Sequence, residues 1–289
     1  MRLANVNGRA TLISSDSTLD DAKGIDVEKA SEGRFGPEVA LLYDDWSAFA
    51  GWAESFDVDG GDLTAIASTD LGSPTPCPRQ ILAAGLNYAE HAAESGFERP
   101  DELPPIFTKF VSSVSGPHTT VTLPPGGRTD WEVELGVVIG SEIHNVSEDE
   151  AMAAIAGITI TQDISERVVQ LRGPAPQFSL GKSFPGFLPV GPWLTTGADV
   201  GDPNDLEISC DIDGETMQSS TTKSLIFPVG ALIAGLAEVI TLYPGDLILT
   251  GTPDGVGLGR DPQRWIQDGE VLRSRIGHLG ELRQTFTAS

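Results

Sequence analysis

Cysteine is almost missing from this chain of 289 residues: Cys77 and Cys210 stand far apart, with no second zinc-type ligand beside either. That argues against a disulfide framework or a thiolate metal site and leaves both as ordinary small residues. Basic side chains are scarce too. With 18 Lys and Arg against 42 Asp and Glu, a net charge of -24 and no basic run, nucleic acid and anionic membrane surfaces are disfavoured as partners. No apolar run approaches the roughly 18 residues of a membrane span. The opening MRLANVNGRATLISS lacks the apolar core of a secretory signal, so a cytoplasmic protein is expected. There is no G-x-G-x-x-G or Walker sequence, no internal repeat and no low-complexity tract.

What is present suits an ordinary globular protein: 39% hydrophobic and 21% charged residues, on a chain long enough to bury a core without staples. The acid is spread along the chain rather than held in one tail. Such a surface suits a salty cytoplasm, where screening relieves self-repulsion. Residues 1–70 mix short apolar runs with Gly and Asp turns and predict a small, strand-rich N-terminal domain, with one short helix in SAFAGWAESF. The proline-rich LGSPTPCPRQ, residues 71–80, has the fixed φ and missing N–H groups of an extended connector. It marks the boundary to a second domain over 71–289.

In that second part ILAAGLNY reads as a strand, AEHAAESGF as a short helix, and IFTKFVSSVSG and TVTLPPGG as strand and turn. Ser147 and Glu150 have the S-x-x-E form of a capping box before EAMAAIA. The strand GITITQD follows, then a helix in FPVGALIAGLAEVI and a strand entering a glycine-rich turn in YPGDLILTGTPDGVG. Strands outnumber helices, without βαβ alternation.

The strand-like run TDWEVELGVVIG, Thr129 to Gly140, sets Glu132 and Glu134 two residues apart, on one face. That face is either solvated or turned into a common pocket, and spacing leaves both open. Asp163 stands at the end of GITITQD, so three carboxylates converge if the two strands are neighbours. Carboxylates with no His or Cys alongside are hard oxygen ligands, suited to Mg²⁺, Mn²⁺ or Ca²⁺ rather than zinc. His91 and Glu94 form H-x-x-E, which a helix places on one face within hydrogen-bonding reach. On these grounds alone the pair is either functional or an exposed helix pair.

Taken in order, GLNYAEHAAESG, FTKFVSSVSGP, DWEVELGVVIG, QDISERVVQ, GKSF and LTGTPDGVG resemble the fumarylacetoacetate hydrolase family, over roughly residues 77–260. Singly most pieces are weak; six in order with fitting spacing are specific. The resemblance implies an α+β, mostly β fold, with a mixed β-roll catalytic domain, a small N-terminal domain and a homodimeric assembly. It implies Glu132, Glu134 and Asp163 as ligands of a divalent cation, Mg²⁺ foremost, and Lys182 of GKSF as an active-site lysine. His91 and Glu94 match a catalytic dyad on a mobile lid, in which the carboxylate orients the imidazole and raises its basicity. Arg167 and Gln170 match substrate-side polar residues, and Gly251 and Thr252 a turn that binds a substrate carboxylate. His118, His144 and His278 match nothing.

Two departures stand out. Pro185 and Gly186 follow GKSF where many members carry Asp-Thr, and QLRGPAPQFSL is rich in Pro and Gly, so this loop is expected to shape the pocket for an unusual substrate. The reaction implied is hydrolytic carbon-carbon cleavage of a 2,4-diketo acid, an acylpyruvate or a diketo-deoxy sugar acid, releasing pyruvate. Its rivals are decarboxylation or isomerisation of the oxaloacetate or hydroxyheptadienedioate type, and metal-dependent binding of a 2-keto acid without turnover.

Overall fold

The run VELGVVI forms a strand, Val133–Ile139, that is buried throughout, as its branched side chains favour. The structure, a computed structural model, describes residues 1–94 and 102–289, residues 92–94 by their backbone alone. Val133–Ile139 pairs antiparallel with Ile155–Gln162, Glu134 standing opposite Thr161 and Val137 opposite Ile158. The helix Glu148–Ala153 turns the chain between them and starts on the predicted capping box: Ser147 Oγ accepts from the Glu150 N–H, and the Glu150 carboxylate accepts from the Ser147 N–H.

Among the described residues these two strands sit in the middle of a twelve-stranded mixed sheet. From edge to edge it runs Thr64–Ile66, Ala22–Asp26, Arg9–Ile13, Arg2–Val6, Leu188–Thr195, Ile155–Gln162, Val133–Ile139, Leu247–Leu249, Ile81–Ala84 and Ile106–Thr108. Leu71–Gly72 joins Arg2–Val6, and Val114–Ser115 joins Leu188–Thr195. A five-stranded sheet, ordered Glu215–Thr221, Glu207–Ile212, Val271–Ile276, Glu281–Ala288 and His118–Leu123, packs on one face. Strand periodicity divides the core between the faces. Val133, Leu135 and Val137 pack with Ile208, Leu272 and Phe286. Val138 packs on the opposite face with Trp46 and Phe49 of the helix Trp46–Ser55. A helix at Val229–Val239 buries Val229, Leu232, Ile233 and Leu236, the spacing of one helical face. No helix among the described residues is long and apolar enough to cross a membrane.

The expected α+β, mostly β architecture is present; several local expectations differ. Residues 1–70 hold Val27–Ala30 and Val39–Leu42 besides the predicted helix. Each is a single turn, too short for periodicity to register, and the first depends on Asp26 accepting from the Lys29 N–H. Arg2–Val6 pairs directly with Leu188–Thr195, so the N-terminal strands continue the main sheet. The stretch 71–80 is packed as well as extended: the Thr75 hydroxyl donates to the Gly245 carbonyl at 2.8 Å and the Tyr43 hydroxyl to that of Pro74 at 2.9 Å. The expected strand in IFTKFVSSVSG stops at Thr108 and gives way to a 3₁₀ turn, Val111–Ser113. There the Ser113 hydroxyl donates to the Phe110 carbonyl, competing with a ladder.

Candidate active site

The site forms where the central strand pair ends. Glu134 is the second residue of Val133–Ile139, but Glu132 lies just before it, which corrects the expectation of two glutamates inside one strand. The Glu132 N–H donates to Gln162 Oε1 at 2.9 Å rather than to a ladder, while the Glu132 carbonyl accepts from the Asp163 N–H at 2.8 Å. Residue parity survives this, so both glutamates still share a face. One oxygen each from Glu132, Glu134 and Asp163 lies within 4.8 Å of the others, and all three residues are buried.

Buried cations hold two of these acids. Lys182 Nζ donates to Glu132 Oε2 at 2.7 Å, Asp163 Oδ2 at 2.5 Å and Ser165 Oγ at 2.8 Å, which uses all three of its protons. Lys109 Nζ donates to Asp163 Oδ1 at 2.6 Å and to the Phe187 carbonyl at 3.0 Å. Arg167 bridges Asp130 Oδ2 and Glu132 Oε1, both at 2.7 Å from Nη2. Four buried carboxylates thus face three buried cations, and the acid left over is Glu134. Among the described residues it receives the Gly251 N–H at 2.6 Å and no cation.

The titration behaviour follows. Burial raises the Glu134 pKa well above the usual carboxylate value, and the Asp163 and Glu132 charges add to it. Burial works the same way on Glu132, but the Lys182 and Arg167 charges overcome it and hold that carboxyl below the ordinary range. Burial depresses the Lys109 ammonium against the opposing pull of Asp163. For Lys182, Asp163 and Glu132 outweigh burial and raise it.

A cavity of about 560 Å³ opens over this cluster. His91, Glu132, Glu134, Arg167, Gln170, Lys182 and Thr252 all line it, so seven of the residues singled out in the sequence meet around one space. His91 is buried, on the helix Ala89–Glu94; the Glu94 side chain lies outside the described residues. Arg167 and Gln170 reach the cavity, yet the Arg167 guanidinium and the Gln170 carbonyl oxygen are engaged within the protein, Nη1 donating to Gln170 Oε1 at 2.9 Å. The turn at 251–252 is likewise committed. The Gly251 amide serves Glu134, and the Thr252 hydroxyl donates to the Val133 carbonyl at 2.9 Å and accepts from Gln218 Nε2 at 2.8 Å. Gly251 has φ 103°, and a Cβ there would stand 2.9 Å from that of Asn87, so glycine is required. In the departing loop, Leu171 and Phe178 line the cavity.

Sequence reasoning missed Lys109 and Asp130. Lys109 sits between Phe107 and Phe110 in FTKF, a lone cation in an apolar run, and that was its signal. Asp130 continues the parity of Glu132 and Glu134. Its Oδ1 takes the Gly257 N–H at 2.6 Å and its Oδ2 the Leu258 N–H at 2.9 Å, tying the glycine-rich turn to the site. Cys77 and Cys210 are both free. His118 Nδ1 meets Ser68 Oγ at 2.7 Å and His278 Nε2 the Asp199 carbonyl, both away from the cavity.

The fold and these residues define a class: a mixed β-roll carrying a buried three-carboxylate centre at the end of its central strands. The pattern of the fumarylacetoacetate hydrolase C-terminal domain matches residues 80–287, and the chain belongs to the fumarylacetoacetate hydrolase family. It is 47% identical over 231 residues, 78% of this chain and 80% of the other, to a 2,4-didehydro-3-deoxy-L-rhamnonate hydrolase from Sphingomonas sp. strain SKA58. Over 209 residues, 72% of this chain, it is 43% identical to the mitochondrial oxaloacetate tautomerase FAHD2A of Homo sapiens. There it spans 66% of the relative, just short of two thirds. Among solved structures, a Mycobacterium smegmatis protein designated provisionally as HpcE superposes with a TM-score of 0.91 at 50% identity, each chain covered 100%. Maleylpyruvate hydrolase from Sphingobium sp. SYK-6, in complex with manganese(II) ion and pyruvate, superposes with a TM-score of 0.79 at 27% identity, again covering 100% of both chains.

Proposed function

We propose that this protein is a divalent-metal-dependent hydrolase that cleaves a carbon-carbon bond of 2,4-diketo acids, acylpyruvates or diketo-deoxy sugar acids, and releases pyruvate. One observation carries the reading: three buried carboxylates with oxygens within 4.8 Å of one another, two of which, Glu132 and Glu134, line a cavity that also holds His91 and Lys182. The donor set fits a hard dication, because Glu134 lacks a cationic partner among the described residues and an all-oxygen cluster suits Mg²⁺ or Mn²⁺, with Ca²⁺ a weaker candidate. Glu132, Glu134 and Asp163 would hold it. Bound there, the ion would supply positive charge against the head of a 2-keto acid and stabilise negative charge building on the keto oxygen.

The chain's own residues do the rest. Lys182, fixed by Glu132, Asp163 and Ser165, presents an ammonium beside the keto-acid head. His91 Nε2 or Nδ1 removes a proton from water as the water oxygen bonds to the C4 carbonyl carbon. The C3–C4 bond then breaks, its electron pair stays on C3, and the imidazolium returns the proton there, giving a carboxylic acid and pyruvate. Glu94, three residues along the same helix, is assigned to orient His91.

The names of the Sphingomonas and Sphingobium relatives support hydrolysis. A second reading, keto-acid tautomerisation or decarboxylation, draws support from the 43% identity to oxaloacetate tautomerases. Both follow from assaying pyruvate release from acylpyruvates, and enol-keto exchange or decarboxylation of oxaloacetate, with Mg²⁺ and with chelator. Metal-dependent pyruvate release from acylpyruvates is expected; turnover of oxaloacetate alone selects the second reading. No turnover of either leaves a metal-dependent binder. The same reading assigns a homodimer, which light scattering tests, and treats residues 1–70 as a domain that braces the sheet.

A further inference from the structure

The cavity changes character from floor to mouth. On the floor Glu132, Glu134 and Lys182 are 6%, 1% and 2% exposed. Immediately above, the Phe107 ring centroid lies 4.9 Å from Lys182 Nζ, and the Phe178 ring meets it edge-on, centroids 5.6 Å apart. Leu86, Pro105, Leu171 and Leu258 continue this wall outward. Phe107, Phe178, Leu86 and Leu258 are half-buried, whereas Pro105 and Leu171 are exposed, so apolar surface stands open at the mouth. Leu86 is held at φ 59°, a left-handed conformation that a bulky side chain rarely adopts. Local strain of this kind persists at sites where the surroundings impose it, and here it puts an aliphatic group in the wall. Among the described residues, the lysine and the arginine that line the cavity are already taken, Lys182 by Glu132 and Asp163, Arg167 by Asp130 and Glu132.

We infer that the outer half of this site selects keto acids whose tail is uncharged and apolar, alkyl or aryl, over those whose tail ends in a carboxylate; this rests on reading the floor as a keto-acid site. A terminal carboxylate lying against Phe107 and Phe178 loses hydration and gains no lysine or arginine partner there among the described residues. A methylene in the same place gains about fourfold in affinity by leaving water.

Calorimetric titration of the Mn²⁺-loaded protein tests this without turnover, using pyruvate, 2-oxobutanoate, 2-oxopentanoate, 2-oxohexanoate and 2-oxoadipate. Kd is expected to fall about fourfold for each methylene up to 2-oxohexanoate. 2-Oxoadipate, of equal length but ending in a carboxylate, is expected to bind at least about tenfold more weakly than 2-oxohexanoate. A flat series, or 2-oxoadipate as tight as 2-oxohexanoate, overturns the inference. The Phe178→Arg variant should shift the ratio of the two toward 2-oxoadipate by about tenfold or more, and an unchanged ratio also overturns it. If that variant fails to fold, the wild-type series decides. A tail-length gain without cleavage of acetylpyruvate sinks the hydrolase reading and leaves tail selection standing. Failure of pyruvate itself to bind sinks both.

Discussion

Lys109 and Lys182 grip opposite oxygens of Asp163, the first at 2.6 Å from Oδ1 and the second at 2.5 Å from Oδ2. The two are not equivalent. Lys182 also reaches Glu132 and Ser165, whereas Lys109 turns its remaining donors to backbone carbonyls and touches no second acid among the described residues. Lys109 therefore anchors Asp163, and Lys182 spans the cluster.

Replacing Lys109 tests that division. Lys109→Met leaves a buried carboxylate with one cation instead of two. Breaking a buried pair by removing one partner is costly, and the surviving Lys182 limits the loss here to about 2–3 kcal/mol. Urea denaturation of the metal-free protein measures it, and a change below about 0.5 kcal/mol would show that the contact carries nothing.

Glu134 sets a pH dependence whose sign is fixed by its raised pKa. The unfolded chain releases this proton near pH 4.3, about the free glutamate value, while the folded chain keeps it, so the folded state binds more protons above that pH. Stability of the metal-free protein then falls as pH rises, by at most about 1.4 kcal/mol per unit from this one group. Glu132, whose pKa is lowered, works in the opposite direction: its contribution is present above about pH 4.3 and is lost as the pH falls through its folded value. Glu134→Gln removes only the first effect. With EDTA present, the stability of this variant relative to wild type should climb between pH 4 and pH 7; a gap that stays constant with pH rules the account out.

These features also mark how far the sequence could be read. The paired glutamates were legible because strand parity is a local property, and the parity held although the strand starts at Val133, just past Glu132, rather than including both. The capping box at Ser147 and Glu150 was legible for the same reason: both partners lie within one turn. Lys109 was not, because its role depends on Asp163, fifty-four residues away, and a single lysine carries no spacing to measure. Nor was the internal commitment of Arg167 visible. Its partner Asp130 lies thirty-seven residues earlier on a strand, and the pairing of Thr129–Asp130 with Ser165–Glu166, just before the helix that Arg167 opens, brings the two together.

Metal binding should stabilise the fold by linkage. An ion that binds only the folded chain at 100 times its Kd adds about 2.7 kcal/mol. Because Glu134 must give up its proton to become a ligand, affinity should rise with pH and loading should release protons. Thermal denaturation with Mn²⁺ or Mg²⁺ is expected to show a concentration-dependent rise in Tm that EDTA reverses. Asp163→Asn should abolish the shift; the same rise in that variant would place the ion elsewhere.

Gly181 links the loop to the chemistry. A Cβ on this residue would stand 2.5 Å from the Gln170 backbone nitrogen and 2.7 Å from its Cα, and backbone atoms cannot rotate away. Gly181→Ala must therefore separate the helix Phe178–Gly181 from the helix Arg167–Gln170. Lys182 follows one and Arg167 opens the other, so both cations are drawn off Glu132. Displacing catalytic groups by about 1 Å can cost about 100-fold in rate, and overpacking costs about 1–3 kcal/mol in stability. Gly51→Ala is the control. It lies exposed within the helix Trp46–Ser55 with nothing within 4 Å of a Cβ, so alanine should leave kcat unchanged and stabilise by about 0.5–1 kcal/mol. Comparing kcat/KM and Tm for the two variants separates a positional effect from a general one: equal activities would mean that Lys182 and Arg167 tolerate the shift and that their contacts with Glu132 do not limit turnover.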